Sequence, residues 1–218
     1  LLLSHLTAPV AYVPIDVSPD MLDHLSESLR KKFRNLEVMP ICADWMGDFE
    51  LPEVGTDPVK RVVYFPGSTI GNIDRPELIN FLRKIRDLCK SGGGFLVGMD
   101  LKKDRAALEA AYNDSIGITA EFNLNILLHL NKALNADFNL DNFRHYATYN
   151  EKQGRIEMIL ISACDQEVHI GEETIRLKDE EPILTEISCK YDLHEIGEMA
   201  RGLFHVQNIW TDVDEKFS

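Results

Sequence analysis

The feature that most constrains this chain is an alternation. Over the first hundred residues, short apolar runs ending in an acid or a Gly/Asn loop take turns with amphipathic stretches. Tyr12-Val13-Pro14-Ile15-Asp16 is the first such run. Ser18-Pro19-Asp20 follows as a helix opening, with a capping hydroxyl and a proline at the first helical position. Met21, Leu22, Leu25 and Leu29 continue it at spacings of three and four. Leu36–Cys42 reads as the next strand and closes on Ala43-Asp44-Trp45. Arg61–Phe65 reads as a buried strand running into Pro66-Gly67-Ser68-Thr69-Ile70-Gly71-Asn72. A second helix opens at Arg75-Pro76-Glu77 and runs through Leu78, Phe81, Leu82 and Ile85 to Gly92-Gly93-Gly94. Phe95–Asp100 is a further strand. Strands alternating with helices predict a parallel α/β sheet, and such sheets bind ligands outside the carboxyl ends of their strands. Here those ends are Asp16, Asp44-Trp45, residues 67–72 and Asp100.

From Asp104 the texture changes. Arg105–Tyr112 and Thr119–Leu134 have helical spacing, with Ile126, Leu127, Leu130 and Leu134 as a core stripe. Arg155–Ile161 alternates as a half-buried strand does, Glu167–Ile170 and Glu173–Leu177 flank Gly171 as a hairpin, and Ile183–Lys190 is another strand. A helix at His194–Leu203 and a strand at Val206–Trp210 resume the earlier pattern. The expected division is an α/β domain at 1–103, an inserted α+β lobe at 104–192 and a return to the α/β domain at 193–218.

The 218 residues carry a formal net charge of −13. A negative field of that size disfavours nucleic acid and anionic lipid as partners and leaves small zwitterionic or cationic ligands unopposed. Cys42, Cys89, Cys164 and Cys189 form no CxxC pair, so they read as reduced thiols of a cytoplasmic protein. No run reaches the ~18 apolar residues of a membrane span. The chain opens on Leu1-Leu2-Leu3-Ser4-His5-Leu6, already in the pattern of a helix interior, and stops just after an apparent strand. It is expected to be a piece of a longer protein, cut at both ends.

Each candidate residue has a plainer alternative. Asp16 suits the acid that accepts both ribose hydroxyls of a bound nucleoside, and equally a helix-capping aspartate. Asp44-Trp45 suits recognition of an adenine ring, or a turn aspartate beside a core tryptophan. The loop Gly67–Asn72 has no lysine and the wrong spacing for a P-loop, yet its glycines, hydroxyls and amide suit an amino acid's carboxylate or amine. Glu186 and Ser188 lie two apart on a strand and so share a face; the alternative is a surface pair. Asp137–Asp141 begins like a calcium loop, but Asn142 stands where that loop needs glycine and Thr148 where it needs glutamate, so no metal is expected.

Together these stretches resemble the histidine-specific methyltransferases of ergothioneine biosynthesis. The resemblance rests on YVPIDVS at Tyr12–Ser18, FPGSTIGN at Phe65–Asn72, GMDLKKD at Gly98–Asp104, AAYNDSIGITAEFN at Ala110–Asn123, ADFNLDNF at Ala136–Phe143, RIEM at Arg155–Met158 and LTEISCK at Leu184–Lys190. It implies a Rossmann-like class I methyltransferase sheet with an inserted substrate-binding lobe, S-adenosyl-L-methionine as cofactor and L-histidine as substrate, trimethylated on its α-amino group to hercynine. It also implies roles. Asp16 holds the cofactor ribose, and Asp44 and Trp45 recognise adenine. Gly67 and Thr69 belong to the loop shared by cofactor and substrate. Asn72 lies near the amino and carboxylate groups, with Tyr112 beside it as the second catalytic residue. Glu186 and Ser188 bond the imidazole, and Met158 lines the ring pocket. The family's glycine-rich cofactor loop, a further pocket tyrosine and the last strand fall outside this stretch of sequence.

The reaction so implied is direct displacement at a sulfonium methyl by a neutral amine, in which positioning does most of the work. A monomer is expected. The alternatives are a methyltransferase of the same fold acting on tryptophan or another amine, a nicotinamide oxidoreductase, and a nucleotide-binding domain without catalysis.

Overall fold

A computed structural model describes residues 2–218. Leu1, the first residue of the stretch with a helix-interior pattern, lies outside them; Leu2–His5 form a 3-10 turn. The chain forms two compact units, one running to Arg61 and taking in Cys89–Gly94, the other comprising Val62–Leu88 and Phe95–Ser218.

In the first unit, each strand foreseen as one run is split by a proline. β1 (Ala11–Tyr12) and β2 (Ile15–Asp16) flank Pro14; after α1 (Pro19–Lys32), β3 (Glu37–Val38) and β4 (Ile41–Cys42) flank Pro40. β1 pairs parallel with β3 and β2 with β4, in one register: Ala11 lies opposite Glu37 and Ile15 opposite Ile41. That register sets Pro14 against Pro40. A proline donates no ladder hydrogen bond, so both strands break at one level. Backbone bonds still cross the break, from Met39 to the Tyr12 carbonyl (3.0 Å) and from Ile41 to that of Pro14 (2.9 Å). Ser18 caps α1 as foreseen, its Oγ accepting from the Met21 amide. Arg30 of that helix donates to the Val38 carbonyl at 2.6 Å, fastening α1 to β3.

In the second unit, β5 (Val62–Phe65) pairs with β6 (Gly94–Val97), and α2 (Arg75–Cys89) lies between them in sequence. Phe81 of α2 sits between Phe65 and Phe95, with ring centroids 5.2 and 6.4 Å away. Then come α3 (Arg105–Tyr112), α4 (Ile118–Leu134), β7 (Phe143–Asn150), β8 (Arg155–Ser162), β9 (Gln166–Ile170), β10 (Glu173–Leu177), β11 (Pro182–Cys189) and α5 (Leu193–Ala200). β9 and β10 form the expected hairpin, turning at Gly171 with φ of +59°. The order β11-β8-β7 makes a three-stranded antiparallel sheet.

α4 packs on one part of that sheet through Leu127, with Phe138, Phe143, Leu160, Val168 and Leu177. Leu108 of α3 packs on another part, with Ala147, Ile156 and Met158. The chain is therefore a mixed α/β protein.

β7 has no counterpart in the sequence reading, and the strand expected at Val206–Trp210 does not form. That stretch makes no ladder, and Trp210 keeps 66% of its surface. Lys216–Ser218 run against Met99–Leu101 instead, with bonds in both directions between Met99 and Ser218. α5 stops at Ala200, three residues short of expectation, ahead of a turn in which Gly202 has a φ of +75°.

Candidate functional site

Parallel pairing of β2 with β4 brings Asp16 opposite Cys42, so Asp16 and Asp44 stand at the carboxyl ends of neighbouring parallel strands. The Ala43 amide donates to the Asp16 carbonyl at 3.0 Å, which closes this edge. Both carboxylates are exposed, and each turns one oxygen onto a nearby amide. Asp16 accepts from Ser18 (2.9 Å) and Asp44 from Met46 (2.8 Å). Trp45 is half-buried beside them in sequence. Two carboxylates with an indole at one strand edge form an acceptor set that fits the hydroxyls and amino group of a nucleoside, and their charge suits a sulfonium.

In the second unit the loop after β5 folds as a 3-10 turn at Thr69–Asn72. Gly67 and Ser68 enter it with φ of +74° and +59°. Gly67 meets nothing where a Cβ would stand, so its glycine answers to backbone conformation. Gly71 has the opposite reason. A Cβ there would lie 2.9 Å from the Cys189 carbonyl oxygen and 3.4 Å from Ser188 Oγ, so only glycine lets the turn touch β11. Thr69 is exposed and donates from Oγ1 to the Pro66 carbonyl.

That contact sets Asn72 beside Glu186. Asn72 Nδ2 donates to Glu186 Oε1 at 2.9 Å, across 114 residues of sequence. A carboxylate cannot donate, so the amide nitrogen faces it and Asn72 Oδ1 stays available for an amine. On β11, Thr185 is an extra residue. The register passes from Leu184 opposite Ile159 to Glu186 opposite Met158, a β-bulge. Beyond it Glu186 and Ser188 share a face with their partners Met158 and Ile156. Tyr112, the last residue of α3, packs against that face, and its hydroxyl lies 3.0 Å from Ser188 Oγ. Asn72, Tyr112, Met158, Glu186 and Ser188 are thus brought together.

Lys190 was not foreseen. Its residue is 0% exposed, and its Nζ lies 2.8 Å from Asp100 Oδ2, 2.9 Å from the Tyr112 hydroxyl and 2.9 Å from Ser188 Oγ. It also stands 4.8 Å from the centre of the Tyr112 ring. Asp100, three residues past the end of β6, holds Lys103 with its other oxygen. The sequence signal was slight: Lys190 lies two residues past Ser188 on one strand, hence on the same face.

Next along the chain, burial pushes the Cys189 thiol and the Tyr191 phenol up. These groups stay protonated, as structural groups do. Among the described residues no cluster of His, Cys, Asp or Glu could hold a metal ion, and no helix is long and apolar enough to cross a membrane.

The chain is 36% identical over 205 residues to a histidine N-alpha-methyltransferase of Mycobacterium tuberculosis, covering 92% of this chain and 63% of that protein. It is 35% identical over 209 residues to the enzyme of that name from Mycolicibacterium smegmatis, with the same coverage. It spans about 63% of the length of both relatives. An L-tryptophan methyltransferase of Psilocybe serbica is 31% identical over 157 residues, covering 69% of this chain and 43% of that protein. The model of the SAM-dependent histidine-specific methyltransferases matches residues 1–218. The chain belongs to that family.

Proposed function

We propose that the complete protein trimethylates the α-amino group of L-histidine to hercynine, a step of ergothioneine biosynthesis, using S-adenosyl-L-methionine. The observation that carries the substrate reading is the pair of hydrogen bonds Asn72–Glu186 and Tyr112–Ser188, which links groups suited to an amino acid's polar end with groups suited to a nitrogenous ring.

Asn72 Oδ1 accepts from the amine, and the second Nδ2 proton of Asn72, with Tyr112, holds the carboxylate in place. The second oxygen of Glu186 accepts from the ring N–H, Ser188 meets the other ring nitrogen, and Met158 lines the ring. Asp16 holds the ribose hydroxyls, Asp44 and Trp45 the adenine, and Gly67 and Thr69 border both ligands. The cofactor supplies a methyl already activated on sulfonium sulfur, so the protein's task is orientation and exclusion of water.

The parallel strand pairs, with acids at their carboxyl ends, support a Rossmann-like class I sheet. Residues 1–103 and 193–218 belong to it, and 104–192 form the substrate lobe, where the antiparallel sheet lies. We place the protein in the cytoplasm, as a monomer.

The test is methyl transfer from labelled cofactor by the complete protein to a panel of amino acids. Histidine is the expected acceptor, and Glu186→Ala is expected to abolish its preference. Transfer to tryptophan alone would overturn the reading.

A further inference from the structure

Resting on the proposed histidine site, we propose that Lys190 is a positioning residue that makes this site select the uncharged imidazole ring. An ammonium group has three N–H donors and no acceptor. Lys190 commits all three, to Asp100, Tyr112 and Ser188. The Tyr112 and Ser188 oxygens each accept one of these bonds and stand 3.0 Å apart. One of their two hydroxyl protons fills the bond between them, and the other must point out of the cluster. If Tyr112 donates to Ser188, both lone pairs of Ser188 are taken and its proton faces the ring. If the bond runs the other way, Tyr112 exports the proton. In both arrangements the cluster offers its surroundings one donor.

Glu186 is the complement. It sits two residues before Ser188 on the same face of β11, its Oε1 is taken by Asn72, and it can only accept. One acceptor and one donor on a strand face match a five-membered ring with one N–H and one bare nitrogen. An imidazolium carries an N–H at both positions. It would set one against the exported hydroxyl proton, with the Lys190 charge directly behind, at a site where Ser188 is 5% exposed. Lys190 therefore does more than fill the core: its donors leave the hydroxyl pair one outward-pointing proton in either arrangement, and its charge stands behind that proton.

The test compares the KM for histidine with that for 2-fluorohistidine, whose ring stays unprotonated as the pH falls. The α-amine is common to both, so the ratio of the two KM values isolates the ring. In the complete protein the ratio is expected to rise about tenfold for each pH unit below the ordinary histidine pKa of about 6.5. In Lys190→Met the KM for histidine rises while kcat changes less, and the ratio flattens with pH; Lys190→Arg restores part of the slope. Lys190→Gln, which removes the charge and keeps a polar side chain, flattens it too and serves if Lys190→Met does not fold. A pH-independent ratio in the unmodified protein overturns the inference while histidine remains the substrate. So does an unchanged slope in whichever of Lys190→Met and Lys190→Gln folds. No transfer to histidine at any pH overturns the proposed function, and this inference with it.

Discussion

Asn113 grips Ala147. Its side-chain Nδ2 donates to the Ala147 carbonyl at 2.8 Å, and its Oδ1 accepts from the Ala147 amide at 2.9 Å. β7 is the outer strand of its sheet, and these two bonds occupy the edge where a further strand would pair. Glu109 extends the grip along the strand, accepting from the Tyr149 amide and the Thr148 hydroxyl. Tyr112 lies between these two residues in sequence, so the helix that covers the edge also aims the phenol.

Asn113→Ala is expected to lower stability by about 1–3 kcal/mol, as a paired amide and carbonyl lose their partners. Urea unfolding of the complete protein reads the loss. Histidine KM should rise with it, since the end of α3 loses its anchor.

Gly71→Ala sets a methyl 2.9 Å from a backbone oxygen of β11. Backbone yields less readily than a flexible side chain, so the turn and the strand must part. Overpacking of this kind costs about 1–3 kcal/mol. The variant should lose histidine turnover more than cofactor binding, which calorimetry with S-adenosylhomocysteine checks. Equal losses of both would contradict the account.

Leu160→Ala opens a void among Leu127, Phe143 and Val168, where Leu160 is fully buried. The expected cost is about 2–5 kcal/mol. Thermal unfolding measures it, and a change under 1 kcal/mol, roughly the effect of a surface substitution, would mean that the core is loosely packed.

Asp114 predicts an acid limb. The N-cap residue of α4, Gly117, has no side chain to cap with, and Asp114 accepts from the Ile118 and Thr119 amides at 2.9 and 2.8 Å instead. The bonds from Thr119 hold its carboxyl down from 3.8 to about 2. A depressed folded-state pKa stabilises the fold above the unfolded value and loses that contribution as pH falls through the folded one. Stability should therefore drop between pH 3.8 and about 2 in the parent. Asp114→Asn should show a smaller drop there in denaturation curves taken across that range.

The sequence was legible where local chemistry decides the outcome. Ser18-Pro19 starts α1, Gly171 turns the hairpin, and the two-residue spacing of Glu186 and Ser188 sets a shared face. It was less legible where distant residues decide. β7 (Phe143–Asn150) hides its pattern because His145 and Thr148 turn polar groups toward partners on α4 and α3 and do not reach for water. Val206–Trp210 has the apolar look of a strand and finds no ladder. Lys190 reads as a surface residue until Asp100, ninety positions earlier, comes within 2.8 Å. The splits at Pro14 and Pro40 were open to reading, since a proline inside a strand forfeits a bond wherever it stands.

The three-way commitment of Lys190 has a consequence for inheritance. Its partners come from the stretch after β6, the end of α3 and the end of β11, so one side chain makes three distant stretches of chain answer to each other. Loss of any one partner strands a charge or a hydroxyl away from water, and a second change should then cost less than it would alone. Substitutions at Asp100, Tyr112, Ser188 and Lys190 should be strongly non-additive, and lineages that alter one of them should be found to have altered others.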